Sequence, residues 1–89
     1  MHQFQVSEYL QDILKKLSKK DKVLHERVLN KMKEIINSYE IEHYKNLMYD
    51  MKDSKEVHIG HFVLVFQYNS TLDMINFDDF DHHDKIFGK

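Results

Sequence analysis

At 89 residues the chain is long enough for one domain with a modest core, and its 42% hydrophobic and 31% charged content excludes a disordered chain. The absence of cysteine excludes a disulfide framework and thiolate metal sites. No apolar run approaches the roughly 20 residues that span a bilayer, and the N-terminus has neither a basic leader nor a long hydrophobic segment, so a soluble, cytoplasmic protein with no membrane partner is expected.

The net charge of −2 is uneven: residues 1–45 hold nine Lys or Arg against seven Asp or Glu, whereas residues 46–89 hold four against eight. Net acidity counts against nucleic-acid binding, which draws on clustered positive charge. The cluster of Lys15, Lys16, Lys19, Lys20 and Lys22 partly restores it.

Phe4, Gln5 and Val6 alternate apolar and polar, which predicts a short strand over 2–6. Ser7 reads as an N-cap, and Leu10, Ile13, Leu14 and Leu17 recur at helical spacing, predicting a first helix over 8–19. Asp21 caps a second helix, whose stripe of Leu24, Val28, Met32, Ile35 and Ile36 runs to about Ser38. The turn between them, Ser18 to Asp21, is short enough to make the helices antiparallel neighbours.

After Ser38 the helical period is lost. Residues 47–51 and 56–59 read as strands, and Phe62 to Tyr68 is a nearly continuous apolar run suited to a central strand. Gly60-His61 fits a two-residue hairpin turn, with Gly supplying a positive φ. Asn69-Ser70-Thr71 fits a second turn, Met74 to Phe80 a last strand, and the closing residues 82–88 lie against the sheet. The expected fold is α+β, in the order β-α-α-β-β-β-β: a mainly antiparallel sheet of four to five strands packed against an N-terminal αα-hairpin, in one domain over 1–89.

Five of the seven histidines lie between His43 and Phe87, several of them at strand ends. Histidine is the side chain whose ordinary pKa lets it exchange protons near neutral pH, and strand ends present side chains on a rigid scaffold. His2 and His25 read as terminal and helix-surface residues, His61 as a turn residue and His82 as an outward neighbour of His83. The run Asp78-Asp79-Phe80-Asp81-His82-His83-Asp84 mixes carboxylates with imidazoles, but its spacing matches no standard metal-ligand signature.

The element order, the hairpin from Val57 to Phe66 and the ending from His82 to Gly88 together resemble the RelE/ParE superfamily of toxins from bacterial and archaeal toxin–antitoxin pairs. The ending is similar to that of the YafQ-like branch, in which a histidine is followed four positions later by an aromatic residue, here His83 and Phe87. The resemblance implies a ribosome-dependent mRNA endoribonuclease that needs no metal or cofactor, with a cognate antitoxin, the ribosome and mRNA as partners. Such cleavage needs a proton acceptor for the 2′-hydroxyl, positive charge at the phosphorane and a proton donor to the leaving 5′ oxygen.

By this resemblance His58 and His83 are the acid–base pair, Phe87 stacks on a base, and His43 is a third branch histidine. The lysine cluster Lys15, Lys16, Lys19 and Lys20, which on composition alone is a solvated helix end, becomes a ribosomal-RNA contact. The chain also departs from the pattern. Where relatives place arginines on the hairpin strands it has His58 and Val63, and its one arginine, Arg27, lies in the second helix. Phosphate stabilisation then falls to Lys52 and Lys55. A catalytic tyrosine is replaced by Phe87, which stacks but exchanges no proton, and the branch's acidic turn residue by Gly60-His61. The low positive charge favours the alternative of a non-nuclease member, either a ParE-like inhibitor or a protein that binds only its antitoxin.

Overall fold

In a computed structural model, which describes residues 1–46 and 54–88, strand β1 (Gln3–Val6) leads into helix α1 (Glu8–Lys20) through Ser7. The Ser7 Oγ accepts the Leu10 N–H at 3.0 Å and donates to the Asp78 carbonyl at 2.9 Å, so one hydroxyl caps the helix and fastens it to the sheet. Asp21 is the whole connection to helix α2 (Lys22–Ile36). Its N–H closes α1 on the Leu17 carbonyl at 2.8 Å, and its carboxylate caps α2 on the Leu24 N–H at 3.1 Å.

After a 3₁₀ turn at Ile41–His43 come β2 (Ser54–Ile59), β3 (Phe62–Asn69), β4 (Met74–His82) and a short closing helix, α3 (His83–Phe87). The sheet order is β1-β4-β3-β2. The β2–β3 and β3–β4 pairs are antiparallel, while β1 runs parallel to β4, making the sheet mixed. The β2–β3 connection is the expected Gly60-His61 turn, with Gly60 at φ +62°. The strand expected over 47–51, together with Lys52, lies outside the described residues.

The helical hairpin covers one face of the sheet. Leu10, Leu24, Val28, Met32, Ile35 and Ile36 pack on Ile59, Leu64, Phe66, Ile75, Phe77 and Phe80, and each fully buried aliphatic or aromatic side chain contributes about 1.5–3 kcal/mol. The last three sit at i, i+2 and i+5, which a regular strand cannot place on one face. The register breaks there: Phe77 pairs with Phe66 and Asp79 with Val65, so Asp78 is an extra residue that returns Phe80 to the core side. On the opposite face Val63 and Val65 are covered by Ile86 and Phe87 of α3, a smaller cluster that docks the end of the chain.

Candidate active site

Alternation along β2 sends Val57 and Ile59 toward the helices and Glu56 and His58 to the opposite face. The buried Ile86 anchors α3 on that same face. The start of α3 is held by the His83 N–H, which donates to the His61 carbonyl at 2.8 Å, and by His82, whose Nδ1 accepts the Asp84 N–H at 3.2 Å. The turn between β2 and β3 thus fixes where the closing helix begins.

His83 and Phe87, one helical turn apart with centroids at 4.6 Å, are brought beside His58. The His58 ring lies 5.7 Å from His83 and 6.3 Å from Phe87, stacked at 15° on the latter. Both imidazoles are about half exposed, with 47% and 50% of the side-chain surface in solvent. His58 Nε2 is 3.5 Å from Oε1 of Glu56, whose carboxylate is buried. The same Oε1 lies 3.7 Å from Lys45 Nζ, and Glu56 Oε2 has no hydrogen-bond partner among the described residues. A buried carboxylate held between a cation and an imidazole restricts how the ring can turn.

A cleft of about 550 Å³ opens along the β2 edge beside His58, lined by His58 and Ile59 and, from α2, by Arg27, Asn30, Lys31 and Glu34. Around the hairpin turn a second cleft, of about 250 Å³, is shared by Asp21, Arg27, Gly60 and His61. The α1–α2 junction, with the exposed Lys19 and Lys20 in the last turn of α1, therefore sits at the same end of the molecule as the turn that follows His58. Lys15 and Lys16 are exposed farther back on α1.

Two expected site residues lie elsewhere. His43 is exposed in the 3₁₀ turn, with Nδ1 bonded to the Glu40 carbonyl and its ring against Tyr44, which packs on Phe66 of the core. Among the described residues its partners are Glu40 and Tyr44, away from the His58, His83 and Phe87 group. Lys55, expected to face RNA, is only 5% exposed. The alternation that turns Glu56 outward turns Lys55 inward, where its ammonium donates to Asn46 Oδ1 at 2.9 Å and the Tyr44 carbonyl at 3.3 Å and pairs with Glu42 at 3.6 Å. That cation is committed to holding the segment before β2.

His2 is more than a terminal residue. Its Nδ1 bonds Asp73 Oδ1 at 2.5 Å and its Nε2 the Ser38 carbonyl at 2.6 Å, while the Tyr68 hydroxyl donates to the same Asp73 oxygen at 2.8 Å. The Asp73 bond and then the Ser38 bond raise the His2 pKa above 6.5. The His2 and Tyr68 hydrogen bonds lower that of Asp73 below 3.8, and the Asp73 bond raises that of Tyr68. At the β4 bulge, burial and then neighbouring Asp79 raise the pKa of Asp78. Among the described residues, no three His, Asp or Glu side chains are grouped to hold a metal ion.

Glu56 had a readable signal, since residues two apart in a strand share a face, so Glu56-x-His58 places a carboxylate beside the imidazole. Arg27 had none, because its partnership with His58 depends on how α2 crosses β2.

No protein-family model matches the chain. It is 43% identical over its whole length to "Putative toxin RelE4" of Methanocaldococcus jannaschii, covering 94% of that protein. It is 39% identical, over 98% of its length, to an uncharacterised protein of Methanosarcina mazei, all of which is covered. Among solved structures, its fold is similar to the isolated RelE toxin of E. coli, with a TM-score of 0.72 over 99% of this chain and 93% of that one at 17% identity. A second neighbour is the toxin–antitoxin complex RelBE2 of Mycobacterium tuberculosis, with a TM-score of 0.64 over 91% and 96% of the two chains at 15% identity.

Proposed function

Because this chain belongs to the RelE toxin superfamily, we propose that it is the toxin of a toxin–antitoxin pair and acts as a metal-free endoribonuclease on mRNA at the ribosome, in the cytoplasm. The observation that carries the nuclease reading is the convergence of His58 from β2 with His83 and Phe87 from α3 on one open face. Two half-exposed imidazoles 5.7 Å apart can both reach one phosphodiester.

In this reading one imidazole accepts the 2′-hydroxyl proton as the O2′–P bond forms. The other, entering as imidazolium, gives its proton to O5′ as the P–O5′ bond breaks. The products are a 2′,3′-cyclic phosphate and a 5′-hydroxyl, and the two histidines have exchanged protonation states. Glu56 positions the His58 ring, and Phe87 offers a face on which a base stacks. Lys15, Lys16, Lys19 and Lys20 contact RNA phosphates from α1, Lys52 is a further phosphate contact, and His43 contacts substrate only from outside the cluster.

The likeness to a toxin–antitoxin complex supports an antitoxin as the partner, and in this reading the antitoxin holds the toxin inactive. The excess of acidic residues after residue 45 favours a second reading, a member of the fold that arrests growth by binding alone. Induced expression in a host without the antitoxin, with transcript ends mapped and a His83→Ala control, separates the two. Cuts inside translated frames that vanish in the control support the nuclease; arrest without cuts supports the binder.

A further inference from the structure

The acid–base chemistry proposed for His58 and His83 does not by itself meet the growing charge on the phosphorane. The hairpin strands carry no arginine, and Lys55 is turned into the core. Yet the chain's single arginine is not remote from His58. Arg27, Asn30, Lys31 and Glu34 are spaced i, i+3, i+4 and i+7 on α2, so they form one stripe beside the buried stripe of Val28, Met32 and Ile35. That stripe is the wall of the 550 Å³ cleft whose other wall is His58 and Ile59.

The charges in this stripe are not equivalent. Lys31 Nζ is paired with Glu34 at 2.5 Å, so those two largely cancel. Arg27 makes no salt bridge among the described residues, and its guanidinium rests over the hairpin turn, where a Cβ added to Gly60 would lie 3.7 Å from Nη1. An exposed guanidinium over the turn residue that follows His58 and Ile59 offers a planar fork of donors to a phosphate.

We infer that Arg27 is the phosphate-binding cation of the His58 cleft, donating hydrogen bonds to the non-bridging oxygens of the scissile phosphodiester, with the Asn30 amide as a secondary donor. The inference rests on the nuclease reading for its role in catalysis, but not for its claim of a phosphate site. Arg27 exchanges no proton: the O2′–P bond forms and the P–O5′ bond breaks as before, and the guanidinium meets the added negative charge of the phosphorane. The cation comes from a helix across the cleft rather than from the hairpin strands, which carry no arginine.

The test uses the purified full chain with 3′-adenylate as a phosphate probe, followed by NMR at the His58 ring and the Arg27 Nε–H, and a cleavage assay on programmed ribosomes. Wild type should show shifts at both positions. Arg27→Ala should weaken the probe roughly 10-fold and slow single-turnover cleavage roughly 100-fold without changing ribosome binding. Arg27→Lys should fall between, because it keeps the charge and loses the fork. Lys31→Ala should change either readout less than about threefold, its charge being spent on Glu34. Both positions lie on the solvent side of α2, so an unchanged thermal midpoint is the control for folding.

If Arg27→Ala binds and cleaves like wild type, the inference is overturned and the nuclease reading survives. If wild type does not cleave but binds the probe through Arg27, the inference stands and the nuclease reading falls. Shifts confined to the lysines of α1, or no binding and no cleavage, overturn the inference.

Discussion

Two histidine groups occupy opposite chemical situations in this protein. His2 has both ring nitrogens engaged by acceptors, Asp73 and the Ser38 carbonyl, so the geometry is satisfied only by an imidazolium whose two protons are already used. It joins β1, the end of α2 and the β3–β4 turn. Among the described residues, the polar side-chain contacts of His58 and His83 are each a long one to a carboxylate, at 3.5 and 3.6 Å, and about half of each side chain is in solvent. A histidine with both nitrogens spent is a fastener. One with free edges is available to a substrate.

The sharpest test of that contrast is activity. His58→Ala or His83→Ala should reduce cleavage about 10²–10⁴-fold with little change in thermal midpoint, while His2→Ala should leave the cleavage rate intact at a temperature where the variant is folded. Full cleavage by the His58→Ala, His83→Ala double variant would sink the assignment.

Phe87→Ala should weaken substrate engagement by about 1–3 kcal/mol, the worth of one base–aromatic stack, and Phe87→Tyr should restore most of it. Equal defects in the two variants would mean that Phe87 serves only to dock α3 on Val63 and Val65. For Lys19 and Lys20, replacing both with Gln should make ribosome affinity less steep in salt, by about 0.7–0.9 in the log–log slope per lost phosphate contact; an unchanged slope removes α1 from the RNA surface.

The fastener makes the smallest prediction, and it concerns stability. The His2 pKa is raised on folding, so its contribution is complete below about pH 6.5 and is lost as pH rises through the higher folded value. That of Asp73 is lowered, so its contribution is complete above about pH 3.8 and is lost as pH falls through the lower folded value. The latch therefore holds best between these limits. His2→Ala should lower the thermal midpoint by a few degrees and flatten its decline with pH above 6.5; a wild-type midpoint that does not fall there would refute a charged His2.

Much of the frame was legible in one dimension. The Ser7 and Asp21 caps, the two helical stripes, the Gly60-His61 turn and the spans of β3 and β4 are local, because each depends on residues a few positions apart. The core side of β4 was legible only up to Phe77. An extra residue at Asp78 restores Phe80 to the core, and a bulge is recorded in pairing rather than in periodicity. The start of β2 was obscured for a related reason, since Ser54, Lys55 and Glu56 are polar yet buried. Lys55 and Glu56 are met by Tyr44, Asn46 and Lys45 in the segment folded alongside, and Ser54 by Gln67 of β3.

The order of residues alone therefore determined the α+β architecture, the helical hairpin, the turn chemistry and the resemblance that pointed to His58, His83 and Phe87. Tertiary structure alone decided which of these meet. α3 docks through Ile86 and sets His83 beside His58, α2 crosses so that Arg27 shares a cleft with His58, Lys55 is drawn inward, and His2 becomes a latch. The physical reason is that periodicity tells each side chain which face it lies on, whereas its neighbours are chosen by how separate elements pack together.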